Sequence, residues 1–179
     1  MSAKLKALPD YLSPGLDVVF VGINPGRWSA ERGHHYAGPG NHFWPLLHRA
    51  GFVDRPVTYE DDARMLEYGI GLTNVVDRTT RAASELSRDE LRAGADALRR
   101  KLRRYRPRVV AFNGKLIYEA FAGHGCDFGL QPERAEGAVA FVMPSTSPRG
   151  ATYQLADKLR FFRELKRIVD RERRNAARR

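Results

Sequence analysis

Two short segments carry residues whose types and order can do chemistry. The first is Gly22-Ile23-Asn24-Pro25-Gly26. Its glycines let backbone come close to a ligand, and Pro25 stiffens the turn. Asn24 offers both a hydrogen-bond donor and an acceptor at one point, so it can orient a small polar molecule such as water. The second is Met143-Pro144-Ser145-Thr146-Ser147-Pro148-Arg149-Gly150. Two prolines brace it, three hydroxyls can bond a ligand or cap a helix, and Arg149 supplies a fixed positive charge. The first segment alone is also compatible with an ordinary strand-end turn. A phosphate-cradling loop is a further reading, but the G-x-G-x-x-G spacing and the lysine and hydroxyl of a Walker loop are missing.

Other residues qualify by type. Asp77 follows a hydrophobic stretch that ends at Val76, and a carboxylate there can serve as a base or as a counter-charge to a developing cation. It can equally pair with Arg78 or hold a turn. Tyr36 presents a flat ring. His34, His35, His42 and His48 cluster with only Glu31 nearby as a carboxylate. Their spacing matches no zinc-binding pattern, so no metal is expected and the first two histidines are placed at a pocket mouth or against phosphate. Trp28 and Trp44 are expected to pack internally, with an exposed Trp28 touching DNA as the second reading.

The elements that would position these residues can be read from the pattern. Asp17–Ile23, Tyr68–Val76, Arg108–Gly114 and Ala138–Met143 read as strands, three of them short continuous apolar runs of the kind buried on both faces. Helices fall between them: Asn41–Ala50, a segment capped by Thr58 and reaching Glu67, and a long helix opened by the Ser87–Glu90 capping box and reaching Arg104. Gly114–Phe121 and Tyr153 to about Arg173 follow. Gly94 weakens the third of these helices. Alternation of this kind predicts an α/β fold, a three-layer α/β/α sandwich with a central, mostly parallel sheet. Ligands then bind beyond the carboxyl ends of the strands. The loops 24–40, 77–84 and 144–150 all follow predicted strands, and so are expected to meet at one site.

The chain has 179 residues and 42% hydrophobic content, which fits one domain, placed at residues 1–173, with a basic tail at 174–179 that frays. The single cysteine, Cys126, leaves no internal disulfide framework and no four-cysteine metal centre. No apolar run is long enough to span a bilayer, and the N-terminus lacks a secretory apolar stretch. A cytoplasmic, nucleoid-associated location without membrane contact is expected. The formal net charge is +10. Residues 99–108 hold seven Lys or Arg and no acid, and residues 158–179 hold ten against three acids. The rest of the chain is net acidic. Two concentrated basic segments suit a polyphosphate partner, although solvated helix faces would look the same.

The two motifs in this order and spacing resemble those of the mismatch-specific uracil-DNA glycosylases, the Mug and thymine-DNA glycosylase family. Gly22–Gly26 is similar to the first active-site motif of that family. Pro39-Gly40-Asn41-His42-Phe43-Trp44 resembles its P-x-N-x-F-W segment. Ala111-Phe112-Asn113-Gly114-Lys115 and Ile117-Tyr118-Glu119-Ala120-Phe121 resemble a further block, and Met143–Arg149 resembles the second motif, M-P-S-S-S-A-R in thymine-DNA glycosylase. The likeness runs from about Leu16 to about Arg163.

The resemblance implies a metal-free and cofactor-free enzyme that holds a flipped base in a pocket while the gap in the duplex is plugged. It implies that Asn24 positions the attacking water and that Tyr36, where the bacterial enzyme has phenylalanine, stacks on the base. Gly22, Ile23, Asn41 and Ser145 would complete the base pocket. Ser147, Pro148, Arg149 and Gly150 would contact DNA or fill the gap. Met143 and Ser147 depart from the bacterial pattern, which has an asparagine and a leucine wedge there. The implied reaction breaks the C1′–N1 bond, leaving positive charge on the sugar and negative charge on the base. The N–H of Ile23 can receive the latter, and Asp77 is the candidate carboxylate for the former. The expected partner is double-stranded DNA with uracil or a mismatched base, bound by a monomer. The alternatives are a lesion-recognising DNA-binding protein with little catalysis, and a nucleotide or nucleoside hydrolase using the same crevice.

Overall fold

The computed structural model describes residues 7–149 and 152–179. The four apolar runs form parallel strands β1 (Val18–Gly22), β2 (Ile70–Asn74), β3 (Val109–Asn113) and β5 (Val139–Met143), every residue of them buried. A two-residue strand β4 (Gly129–Leu130), not foreseen in the sequence, adds antiparallel to β5. The sheet order is β2-β1-β3-β5-β4.

Side chains alternate across the sheet and so build two cores. Val18, Phe20, Val109, Ala111, Val139, Phe141 and Met143 face one layer, which holds α2 (Phe43–Arg49) and α5 (Leu155–Ala177). Val19, Val21, Val110, Phe112, Ala140 and Val142 face the other, which holds α3 (Arg88–Tyr105) and α4 (Lys115–Ala122). This is the expected three-layer sandwich. The first core is aromatic: Phe20 meets Phe43 edge-on at 5.1 Å and stacks with Phe162 at 5.9 Å. Phe43 is thereby anchored directly beneath Tyr36.

Element ends follow local chemistry. The Ser87 hydroxyl accepts from Glu90 N–H at 3.1 Å, while Glu90 accepts from Ser87 N–H at 2.9 Å, opening α3 as anticipated. The same box at Thr58 opens a 3-10 run, Tyr59–Tyr68, rather than an α-helix. A short helix α1 (Arg27–Arg32) stands inside the first predicted loop. The last helix runs through Ala177, past the expected end at Arg173. No helix among the described residues is long and apolar enough to cross a membrane.

Gly94 has a positive role. A Cβ there would stand 2.3 Å from the Val75 carbonyl oxygen, so only glycine lets α3 cross the end of β2 this closely.

Candidate active site

The registers bring the strand ends into one row: Gly22 lies beside Asn74, and Asn113 beside Met143. The loops that leave this row enclose an open cleft of about 820 Å³. All three loops singled out in the sequence contribute to it, through Asn24, Thr80 and Arg149 among others.

Asn24 is held from one side only. Its Nδ2 donates to Arg78 O at 2.7 Å and to Thr80 Oγ1 at 2.8 Å. Two acceptors on the nitrogen fix which end of the carboxamide is which, so Oδ1 is left to accept a hydrogen bond in the cleft. Thr80 is itself tied down: its hydroxyl donates to Ala82 O at 2.9 Å and its N–H to Pro25 O at 3.3 Å. The first loop and the loop after β2 are therefore zipped together. Arg78, at the rim, pairs with Glu90 at 2.6 Å, which holds that exposed carboxyl down to about 2.

Gly22 is packed against polar groups. A Cβ there would lie 2.4 Å from Asn74 Oδ1 and 3.3 Å from the Tyr36 hydroxyl. Tyr36 has a left-handed backbone (φ 52°) and stacks one ring face on Phe43, with centroids 4.0 Å apart and planes 21° apart. Its hydroxyl is buried and has no hydrogen-bond partner. Burial pushes the phenol up to about 12, against a smaller opposing pull from Asn113. Both ends of the Asn113 carboxamide are committed elsewhere, Nδ2 donating to Thr146 Oγ1 at 2.9 Å and Oδ1 accepting from Thr146 N–H at 3.0 Å. That pair fastens the second motif to the end of β3. Ile23 O accepts from Val76 N–H at 2.9 Å, which sets the peptide just beyond the strand.

The turn carrying Arg149 is braced from behind. Lys158, 2% exposed, donates to Ser147 O at 3.1 Å and lies 3.2 Å from His42 Nδ1. No carboxylate pairs with it among the described residues, and burial lowers its pKa. Burial and the Lys158 charge lower that of His42, so a neutral His42 accepts the lysine N–H. His42 N–H also donates to Thr146 O at 3.0 Å. From this turn Arg149 reaches across to donate to Arg81 O at 2.6 Å. Ser145 and Pro148 are exposed on the lining, and Ser147 is half-buried. Asn41 Oδ1 accepts from Phe43 N–H at 3.0 Å, so one end of that carboxamide serves the start of α2. Gly150 lies outside the described residues.

Several expectations are corrected. Asp77 is exposed and does not line the cleft. The chain turns after Val76 so that Arg78 O and Thr80, one and three residues on, face Asn24 instead. None of the described lining residues is an aspartate or glutamate. Trp44 is buried, its indole N–H donating to His35 O at 3.3 Å, but Trp28 is 51% exposed on the cleft wall with Arg32 over its ring, and so is not a packing residue. His35 does line the cleft, with Nε2 bound to Pro9 O at 2.8 Å, whereas His34 lies off the lining and turns Nδ1 to Asp62 at 3.0 Å. Among the described residues no group of histidine, cysteine and acid side chains could hold a metal. The sequence did not single out Thr80, Asn74, Asn113 or Lys158 as site residues.

The chain is thus a mostly parallel α/β/α sandwich with an open cleft at the carboxyl ends of its strands, free of acids among the described residues. The model of the uracil DNA glycosylase superfamily matches residues 9–169, and the chain belongs to that superfamily. The fold is also similar to the solution NMR structure of a candidate uracil DNA glycosylase from Methanosarcina acetivorans, at a TM-score of 0.59 and 21% identity. The match covers 90% of this chain and 98% of that one.

Proposed function

We propose that the chain is a monofunctional DNA glycosylase of the mismatch-specific type. It takes uracil, and related damaged or mismatched pyrimidines, out of duplex DNA and hydrolyses the N-glycosidic bond, leaving an abasic site. Superfamily membership supports uracil-DNA glycosylase activity. The observation that carries the finer reading is that Asn24, with its acceptor end free, and Arg149 line one open cleft from opposite loops.

In this reading the base enters between Tyr36, whose ring is backed by Phe43, and the row of strand ends. Gly22 meets it through backbone alone, the Ile23 N–H meets the carbonyl where negative charge grows, and Asn41 and Ser145 supply further polar contacts. Ser147, Pro148 and Arg149, with Gly150, meet the duplex and occupy the vacated space. Asn24 Oδ1 accepts a hydrogen bond from water and aims it at C1′. An amide cannot take the proton at neutral pH, so the rate rests on positioning and on uracil as a stable anion. No amine lines the cleft among the described residues, which favours water over a Schiff-base route. Neither metal nor cofactor enters. The protein works as a monomer on double-stranded DNA in the cytoplasm, at the nucleoid.

The acid-free lining favours one second reading, a lesion-recognising protein with little catalysis. A duplex with one U opposite G, incubated with the protein and then treated with alkali, separates the two. Strand breakage at the uracil is the expected result; tight binding without breakage supports the second reading. Release from free deoxyuridine but not from duplex would contradict both.

A further inference from the structure

Both basic segments end far from the cleft. Residues 99–108 form the last turns of α3 and the entry to β3, at the edge where the parallel strands begin. Gly15 N–H donates to Tyr105 O at 2.9 Å, and Arg108 N–H to Leu16 O at 2.9 Å, fixing the turn beside the start of β1. Helix α5 leaves the cleft near Lys158 and runs to the same edge. Its 23 residues span about 35 Å at ~1.5 Å each. There Asp17 receives Arg108 on one oxygen at 2.8 Å and Arg173 Nε on the other at 2.9 Å. Segments more than fifty residues apart in sequence thus meet at one pole.

Most of the local acids are occupied, Glu164 on α5 being the exception among the described residues. Asp17 holds two arginines, Glu136 pairs with Arg99 and Arg103, Asp170 with Lys166, and Glu172 with Arg171. Arg106, Arg167, Arg174 and Arg178 are exposed, with no carboxylate partner among the described residues, and exposed Arg104 has only the ring of Tyr105. Crowding so many guanidinium groups costs self-repulsion that a polyanion relieves. Arginine forks fit phosphate oxygens in pairs. The apolar face of α5, with Phe162, Leu165, Ile168 and Val169, is packed against the sheet, which leaves none to enter a lipid surface.

We propose that this pole is a second phosphate-binding face that holds the backbone of an undamaged duplex while the cleft engages another. A straight duplex at the cleft cannot also touch a surface a full helix length away. The proposal goes beyond the glycosylase reading and takes from it only the identity of the polyanion.

Capture of a labelled, undamaged duplex by protein already loaded on bead-bound duplex reads the bridging directly. The wild-type chain is compared with a variant carrying Arg104→Gln, Arg106→Gln, Arg174→Gln and Arg178→Gln, and with the same four changed to Glu. Capture is expected to fall tenfold or more in both. The salt dependence of duplex binding should flatten by about 0.9 in slope for each phosphate that the variant no longer neutralises. Single-turnover uracil release from a short duplex should stay within twofold of wild type. Absence of capture by the wild type, equal capture by the variants, or loss of uracil release in the Gln variant with its fold intact overturns the proposal. So does tighter binding of the wild type to phosphatidylserine vesicles than to duplex. If the wild type releases no uracil but capture depends on the four arginines, the glycosylase reading falls and this one stands.

Discussion

Asn24 depends on Thr80 for its orientation. Without the threonine hydroxyl only Arg78 O still holds the amide nitrogen, so Oδ1 is less firmly kept in the orientation the proposed reaction needs. Thr80→Val should therefore slow single-turnover uracil release about tenfold, a fraction of the ~10²-fold that misplacement of a reacting group costs. Asp77→Asn should leave it unchanged, since that carboxylate stands outside the cleft. Equal losses in the two variants would contradict this division. Lys158 acts at one remove, through Ser147 O and His42. Lys158→Met removes a costly buried charge but leaves two acceptors unpaired, terms of similar size and opposite sign. The melting temperature should stay within a few degrees while uracil release falls about tenfold, with the loss in kcat rather than in KM. Asn24 and Arg149 were legible because both sit in motifs. Thr80 and Lys158 were not, because their importance lies in which loops the fold brings against them. Asp77 misled because a residue just past a strand end can face the cleft or solvent, and one turn decides which.

At the scale of elements, the apolar strands and the Ser87 capping box announced themselves by pattern. What escaped was short or tertiary. β4 has two residues, α1 has six between glycines, and the 3-10 run after Thr58 begins with the same cap as an α-helix would. Gly94 shows how a local rule gives way to packing. Propensity alone says Gly94→Ala gains about 1 kcal/mol. The contact with Val75 O, 2.3 Å from the added carbon, is with backbone that cannot rotate away. A net destabilisation of about 1–3 kcal/mol is expected from overpacking, read by urea denaturation; a stabilised variant would show that α3 can move off β2. Val75 lies two residues before Asp77, so the same shift should also disturb the loop that carries Thr80.

The molecule as a whole carries arginine at both edges of the sheet: Arg27, Arg81 and Arg149 on the cleft, and the arginines of α3 and α5 at the opposite edge. The sequence displayed the charge but not the separation, because α3 and α5 carry it away from the residues that form the cleft. Its response to acid follows from two shielded histidines, His35 buried and His42 half-buried. Burial lowers the pKa of His35 and His42 below the ordinary 6.5. Between the folded and unfolded values the unfolded chain binds more protons, so stability rises with pH there and falls on acidification below about 6.5. Protonating His42 also sets two cations 3.2 Å apart behind the Ser147–Arg149 turn. The melting temperature should drop between pH 7 and 5, and His42→Gln, which keeps an acceptor but cannot titrate, should lessen the drop. An identical profile in the variant would remove His42 from the account.

The central claim is that the cleft holds an extruded pyrimidine with Asn24 beside the reacting carbon. Single-turnover uracil release and affinity for the same U·G duplex, measured together for wild type and Asn24→Ala, test it most directly. Release should fall about 10²-fold or more while affinity for the duplex is kept. An unchanged rate, or a loss of affinity that accounts for the whole loss of rate, would contradict it.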